Sequence, residues 1–127
     1  MRCLIVDDND PFLEIASASL ARDGLQVVGT AKTSAEALLQ VERERPDVVL
    51  VDVNLGGENG FELAHQLVEM FPELRLSVVL ISTRDADDYG SLVTTSPAAG
   101  FVRKTHLSAK AIQEVVSARD LSEPEGR

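Results

Sequence analysis

The sequence is short of three kinds of feature, and each shortage excludes a class of protein. Its single cysteine, Cys3, rules out an internal disulfide, and nothing indicates secretion. Tryptophan is absent and aromatic residues make up only 4%, so we expect a core of valine, leucine, isoleucine and alanine. No hydrophobic run approaches the ~20 residues of a membrane span, and the N-terminus lacks a signal-peptide pattern. We therefore predict a soluble, cytoplasmic protein without a membrane partner.

Basic residues are also scarce, at 12 against 21 acidic ones, which gives a formal net charge of -9 at pH 7. Because binding to nucleic acid requires a basic face that neutralises phosphates, this charge argues against direct nucleic-acid binding. The length of 127 residues is typical of one globular domain. We place that domain at residues 1–119 and a flexible polar tail at 120–127.

Short apolar runs rich in β-branched residues alternate with segments of helical spacing. The runs begin at Cys3, Leu25, Val48, Val78 and Gly100. Three of them are continuously apolar, as in strands buried on both faces of a parallel sheet. The alternation predicts an α/β fold, a doubly wound parallel sheet of five strands with five helices on its two faces.

Capping residues mark where several helices begin. Asp10 followed by Pro11 predicts an N-cap and the first position of the first helix, and Thr33 with Glu36 fits a capping box at the second. The fourth helical segment, within 83–99, contains glycine, threonine and proline, so we predict only a short helix there.

Five polar side chains stand where predicted strands end. These residues are Asp7 and Asp8 after the first strand, Asp52 at the end of the third, Ser82 at the end of the fourth and Lys104 after the fifth. Each one alone has a plain explanation as a helix cap or a solvated side chain. Together they indicate a site, because ligands of open parallel sheets bind at the carboxyl ends of the strands. The three carboxylates would repel one another, and Mg²⁺, which prefers hard oxygen ligands, would relieve that repulsion together with the lysine.

This set of residues resembles the receiver domains of two-component response regulators, and the resemblance extends from Arg2 to about Ala118. It rests on the order of the five polar residues and on the run from Asp52 to Gly60, which looks like the family's signature after its phospho-accepting aspartate. The resemblance implies a flavodoxin-like sheet with strand order 2-1-3-4-5. It also implies that Asp52 takes a phosphoryl group from a histidine kinase or phosphotransfer protein.

The resemblance implies a role for the other matching positions as well. Asp8, Asp52 and the backbone carbonyl of Asn54 would hold Mg²⁺, and Asp7 would act mainly through water. Lys104 would pair with the phosphoryl oxygens. These groups suit phosphoryl transfer, in which a metal ion and an ammonium group stabilise charge on the equatorial oxygens.

The resemblance also implies a switch and an output surface. Ser82 would donate a hydrogen bond to the phosphoryl group and move toward it, and Phe101 matches the aromatic residue whose rotamer follows the switch. The surface of the fourth helix, fifth strand and fifth helix would then bind an output partner or effector domain, or form a homodimer on phosphorylation.

The chain departs from the family pattern in three features, none of which removes a ligand or the nucleophile. Gly56 and Gly57 replace a usual proline in the loop, and Phe101 lacks a tyrosine hydroxyl. Thr105 stands where a cis-proline usually follows the lysine. A cis bond to a non-proline residue costs about 3–4 kcal/mol, so either the Lys104–Thr105 bond is trans or the site is strained. We expect a competent receiver whose only chemistry is self-catalysed phosphotransfer and autodephosphorylation, and not an enzyme.

Other functions remain open from the sequence. A metal-dependent aspartyl-phosphate phosphatase or phosphotransferase would need a second carboxylate as general acid, where this chain has Asn54. A receiver-like module could bind its partner without phosphate. A nucleotide-binding domain is disfavoured, because acidic residues follow the first strand in place of a glycine-rich loop.

Overall fold

The computed structural model describes residues 1–72 and 77–122. In chain order the strands are β1 (Arg2–Val6), β2 (Gln26–Ala31), β3 (Val48–Asp52), β4 (Asn54–Leu55), β5 (Glu58–Asn59), β6 (Ser77–Ser82) and β7 (Gly100–Arg103). The helices are α1 (Asp10–Arg22), α2 (Ser34–Glu44), α3 (Gly60–Met70), α4 (Ser91–Thr94) and α5 (Ala109–Ser122).

Five of the strands form one parallel sheet in the spatial order β2-β1-β3-β6-β7. The short strands β4 and β5 pair with each other in a separate antiparallel hairpin. With that hairpin set aside, the order is the predicted 2-1-3-4-5, and the predicted α/β fold class is confirmed. The central strands β3 and β6 are buried along their whole length, which explains their unbroken apolar runs.

The hydrophobic core consists of two clusters, one on each face of the sheet. Leu4 and Val6 of β1 pack in the cluster that contains side chains of α2 and α3. Cys3 and Ile5 of the same strand pack in the cluster that contains side chains of α1 and α5. Because successive side chains of a strand point to opposite faces, one apolar strand serves both clusters.

The caps of the first two helices differ in part from the sequence prediction. Asn9, and not Asp10, caps α1, because Asn9 has extended backbone and its side chain accepts a hydrogen bond from a first-turn amide. Asp10 lies inside the first turn. Thr33 caps α2 as predicted, but the Glu36 carboxylate accepts from the amide of Lys32, so the second half of the capping box is shifted by one residue.

The fourth helical segment is short, as its composition predicts. It consists of a 3₁₀ turn, Ala86–Tyr89, followed by the four-residue helix α4, and Gly90 joins them with φ of +54°. At the C-terminus α5 continues through Ser122, three residues beyond the predicted domain boundary at 119. The rest of the predicted tail, 123–127, lies outside the described residues. No helix within the described part of the chain has both the length and the apolar character to cross a membrane.

Candidate functional site

The polar residues predicted to form a site lie around one cavity of about 230 Å³ at the carboxyl ends of the strands. Its lining residues are Asp7, Asp8, Asn9, Asp52, Asn54, Ser82, Thr83, Arg84, Tyr89 and Lys104. All five strand-end residues and Asn54 are therefore brought together. Phe101, the predicted switch residue, is not part of this lining.

The ammonium group of Lys104 joins two buried carboxylates. Its Nζ lies 2.5 Å from Oδ2 of Asp7 and 3.1 Å from Oδ2 of Asp52. Asp7 is completely buried, and its other oxygen accepts a hydrogen bond of 2.9 Å from the amide of Asn9. Only 13% of the lysine side chain is exposed, so Lys104 is an internal ion-pair partner rather than a solvated strand-end residue.

The Asp52 carboxylate is held at both oxygens. Oδ1 accepts a hydrogen bond of 3.1 Å from the amide of Asn54, and Oδ2 pairs with Lys104. Burial raises the pKa of Asp52, and the negative charge of Asp7 raises it further, against the opposing effects of the Asn54 amide and Lys104. Burial alone would lower the pKa of Lys104, but the two carboxylates outweigh it and the pKa is raised.

The carboxylate cluster fits a divalent cation. One oxygen each from Asp7, Asp8 and Asp52 lies within 4.8 Å of the others, and Asp8 is exposed to the cavity. With one lysine among three carboxylates, the site has an excess of two negative charges. Hard oxygen donors next to an open cavity are the donor set that Mg²⁺ prefers.

Glycine is needed at two positions beside these carboxylates, one in the turn between β4 and β5 and one at the start of α3. Gly56 has φ of +59°, and a Cβ there would lie 2.7 Å from Oδ2 of Asp8. A Cβ on Gly60 would lie 2.1 Å from the carbonyl oxygen of Asp52 and 2.7 Å from Cα of Val53. The glycine eight residues after Asp52 is therefore required by a close backbone approach.

Ser82 is buried at the end of β6 and is bound on two sides. Its Oγ accepts a hydrogen bond of 3.0 Å from the amide of Arg84 and lies 2.8 Å from the hydroxyl of Tyr89. The Tyr89 ring in turn packs against Phe61 at 5.6 Å and Phe101 at 5.9 Å between centroids. Phe101 thus contacts the site through Tyr89.

Tyr89 and Phe12 are among the residues at the site that sequence reasoning missed. Tyr89 lies in a turn without periodic spacing, and its only signal is that it is the single tyrosine of the chain. Phe12 fits the apolar stripe of α1, but its ring centroid lies 4.4 Å from Nζ of Lys104, a cation–π contact.

The peptide bond between Lys104 and Thr105 is trans. Of the two alternatives that the sequence left open, a trans bond or a strained site, the structure therefore has the trans bond.

The raised pKa of Asp52 predicts that Asp52→Asn stabilises the protein at neutral pH without Mg²⁺. Above the ordinary aspartate pKa the unfolded chain releases a proton that the native carboxyl retains, so native stability falls as pH rises through this window. Urea unfolding of both proteins from pH ~4 to pH ~7 measures the difference. The stability difference should grow with pH. It should shrink when Mg²⁺ is added, since a cation held by the carboxylates would stabilise the native wild type. A variant less stable than wild type at neutral pH would contradict this.

The chain matches the family model described as response regulator receiver domain over residues 3–117. It is 34% identical to the response regulator GacA of Pseudomonas viridiflava over 116 residues, 91% of this chain and 53% of GacA. It is 32% identical to the DNA-binding transcriptional activator DevR/DosR of Mycobacterium tuberculosis over 125 residues, 95% of this chain and 57% of that protein. The chain therefore spans about half the length of these relatives.

Solved structures agree with the fold. The signal receiver domain of the response regulator NarL from Mycobacterium tuberculosis is similar to this chain, with a TM-score of 0.78 and 29% identity. That likeness covers 99% of this chain and 97% of the NarL domain. The family model, the sequence relatives and the fold all lead to one conclusion: the chain belongs to the response regulator receiver domains of two-component systems.

Proposed function

We propose that this chain accepts a phosphoryl group on Asp52, with Mg²⁺ at the carboxylate cluster, and changes conformation in response. The observation that carries the proposal is the position of the Asp52 carboxylate. It is oriented by the Asn54 amide on one oxygen and by Lys104 on the other, at the edge of an open polar cavity. A structural carboxylate would need neither the cavity nor the neighbouring acidic pair.

The transfer step needs a nucleophile and charge stabilisation. A carboxylate oxygen of Asp52 attacks the phosphorus of a phosphohistidine, the phosphorus–nitrogen bond breaks, and the donor imidazole leaves with that electron pair. Lys104, already 3.1 Å from Asp52, offers its ammonium group to the phosphoryl oxygens. Mg²⁺, held by Asp8, Asp52 and the Asn54 carbonyl, with Asp7 acting mainly through water, would neutralise further phosphoryl charge.

The response would begin at Ser82 and reach the surface through the fourth helical segment. The Ser82 hydroxyl lines the same cavity as Asp52, so a phosphoryl oxygen is a natural acceptor for its proton. The segment it begins has a four-residue helix and no side-chain N-cap, which gives it low local stability. A change there, with Phe101 repacking, would alter the surface of α4, β7 and α5 for an output partner, an effector domain or a second copy.

A histidine kinase or phosphotransfer protein is the donor in this proposal. We propose that these 127 residues do not bind nucleic acid directly, because their net charge is -9. The proposal is limited to these residues, since one relative that extends well beyond the matched region is named a DNA-binding activator. We also propose a cytoplasmic location, because the single cysteine is buried and unpaired, which suits a reducing compartment. Turnover of an external substrate is not proposed, since Asn54 offers no carboxyl proton at the position of a general acid.

Phosphorylation by a small-molecule donor tests the function. Wild type and Asp52→Asn are incubated with acetyl phosphate, with Mg²⁺ and with chelator, and their intact masses are measured. We expect one phosphoryl group on wild type only when Mg²⁺ is present, and none on the variant. An equal gain of phosphoryl mass by Asp52→Asn would refute the assignment of Asp52 as the acceptor. An equal gain of phosphoryl mass by wild type with chelator would refute the metal requirement.

A further inference from the structure

We propose that Tyr89 is a positioning residue whose hydroxyl holds the Ser82 side chain and ties the cavity to the fourth helical segment. The observation behind it is the 2.8 Å contact between Ser82 Oγ and the Tyr89 hydroxyl. This inference rests on the function proposed above, because the state that Tyr89 transmits is the phosphorylation of Asp52. It assigns to Tyr89 a coupling that the resemblance would place on Phe101.

The hydrogen-bond inventory of Ser82 shows why Tyr89 matters. A serine hydroxyl has one donor hydrogen and two acceptor lone pairs. The Arg84 amide occupies one lone pair of the Ser82 oxygen. Either hydroxyl can donate in the 2.8 Å contact between Ser82 and Tyr89. With the phenol, the more acidic hydroxyl, as the donor, its proton occupies the second lone pair. The single remaining proton of Ser82 then points away from both partners, and the cavity that Ser82 shares with Asp52 is available to receive it.

The Tyr89 ring fixes the position from which this hydroxyl acts. It lies between Phe61 at the start of α3 and Phe101 of β7, with an edge-on contact to Phe61 at 62° between ring planes. Phe101 carries no hydroxyl and does not line the cavity formed by the described residues. Of these three rings, Tyr89 alone reaches Ser82 through a polar atom.

Tyr89 is also the last residue of the 3₁₀ turn that precedes α4. Gly90 follows it, and the four residues of α4 begin directly afterwards. Any displacement of Ser82 Oγ toward a phosphoryl oxygen must stretch the 2.8 Å contact or carry the Tyr89 hydroxyl with it. Because the ring is packed and the helix is short and weakly capped, movement of Tyr89 is passed to α4. The coupling therefore travels along Ser82, Tyr89 and α4.

The composition of the chain provides a direct probe. Tyr89 is the only tyrosine and the chain has no tryptophan, so tyrosine emission reports on this residue alone. In the unphosphorylated protein, emission of Ser82→Ala is compared with that of wild type. We expect a different intensity, because the alanine variant removes the oxygen bound to the phenol. Identical emission of the two folded proteins would overturn the inference, whatever the outcome of phosphorylation.

The second arm measures coupling at equal phosphoryl occupancy, fixed by intact mass after treatment with acetyl phosphate and Mg²⁺. Hydrogen exchange is followed in residues 83–99, with α2 as the internal reference. Tyr89→Phe keeps the ring and removes only the hydroxyl, and Tyr89→Leu removes both. We expect phosphorylation to change the hydrogen-exchange protection of residues 83–99 in wild type. In Tyr89→Phe and in Tyr89→Leu this change should be at least twofold smaller than in wild type.

The outcomes separate this inference from the function on which it rests. Wild type that gains no phosphoryl mass would refute the proposed function and, with it, any coupling by Tyr89. Wild type that is phosphorylated at Asp52, together with identical tyrosine emission of unphosphorylated wild type and Ser82→Ala, would refute the inference alone. A change in Tyr89→Phe as large as that in wild type would also refute it, because the ring and not the hydroxyl would then carry the signal.

Discussion

Gly60→Ala should lower the free energy of unfolding by about 3 kcal/mol. The new Cβ would lie 2.1 Å from the carbonyl oxygen of Asp52 and 2.7 Å from Cα of Val53. Both are backbone atoms, so no side-chain rotation can relieve the overlap. The Gly60 amide also donates a 3.0 Å hydrogen bond to the Val53 carbonyl, and separation of the two segments would weaken it. Urea unfolding monitored by circular dichroism measures the loss.

Gly57→Ala, in the turn between β4 and β5 three residues before Gly60, is the matched control. No atom of the described residues lies within 4 Å of a Cβ at Gly57, and its φ lies outside the left-handed region. We expect its stability to stay within about 0.5 kcal/mol of wild type. Equal destabilisation of the two variants would mean that flexibility of the loop, and not the close approach at Gly60, explains the glycine.

Lys104→Met should destabilise the protein by about 3 kcal/mol in the absence of Mg²⁺. Methionine keeps most of the apolar stem but removes the ammonium group and, with it, the cation–π contact with Phe12. Among the described residues, the carboxylate of Asp7, which is fully buried, would then retain only the Asn9 amide as a partner. The repulsion between Asp7 and Asp52 would lose its compensating charge. Since the carboxylates raise the pKa of Lys104, its full contribution to stability is present at neutral pH.

Lys32→Met supplies the control for that variant. Lys32 pairs with Asp10 at 3.0 Å, but both side chains are largely exposed, so its loss should change stability by about 0.5 kcal/mol or less. Added Mg²⁺ should restore part of the stability of Lys104→Met, because the cation replaces positive charge at the carboxylates. A Lys104→Met protein as stable as Lys32→Met would show that the buried ion pair contributes nothing.

The sheet and the members of the site could be predicted because both follow from strand ends. Buried parallel strands have unbroken apolar runs, and the polar residues just after each run lie at the same edge of the sheet. Asp7, Asp52, Ser82 and Lys104 were identified in this way, and all line one cavity. Gly60 was found only through the family signature. Glycine is required there because a Cβ would overlap the backbone of Asp52, and the local sequence pattern gives no sign of that close approach.

Other features of the site and the helix caps could not be predicted, because they depend on contacts that no local sequence pattern contains. Both Asn9 and Asp10 can cap a helix before proline, and the backbone conformation decides for Asn9. Burial of Lys104 follows from its two partners on other strands, whereas a strand end alone suggests exposure. Tyr89 lies in a 3₁₀ turn without periodic hydrophobic spacing, so the sequence pattern gave no sign of its place beside Ser82.

The position of the phosphoryl group is the most direct measurement. After treatment with acetyl phosphate and Mg²⁺, borohydride reduces an aspartyl phosphate to homoserine, which peptide mass spectrometry locates. The three neighbouring carboxylates of Asp7, Asp8 and Asp52 are then distinguished in one sample. We expect homoserine at position 52 and intact aspartate at positions 7 and 8. Homoserine at position 7 or 8, with Asp52 unchanged, would contradict the assignment of Asp52 as the acceptor.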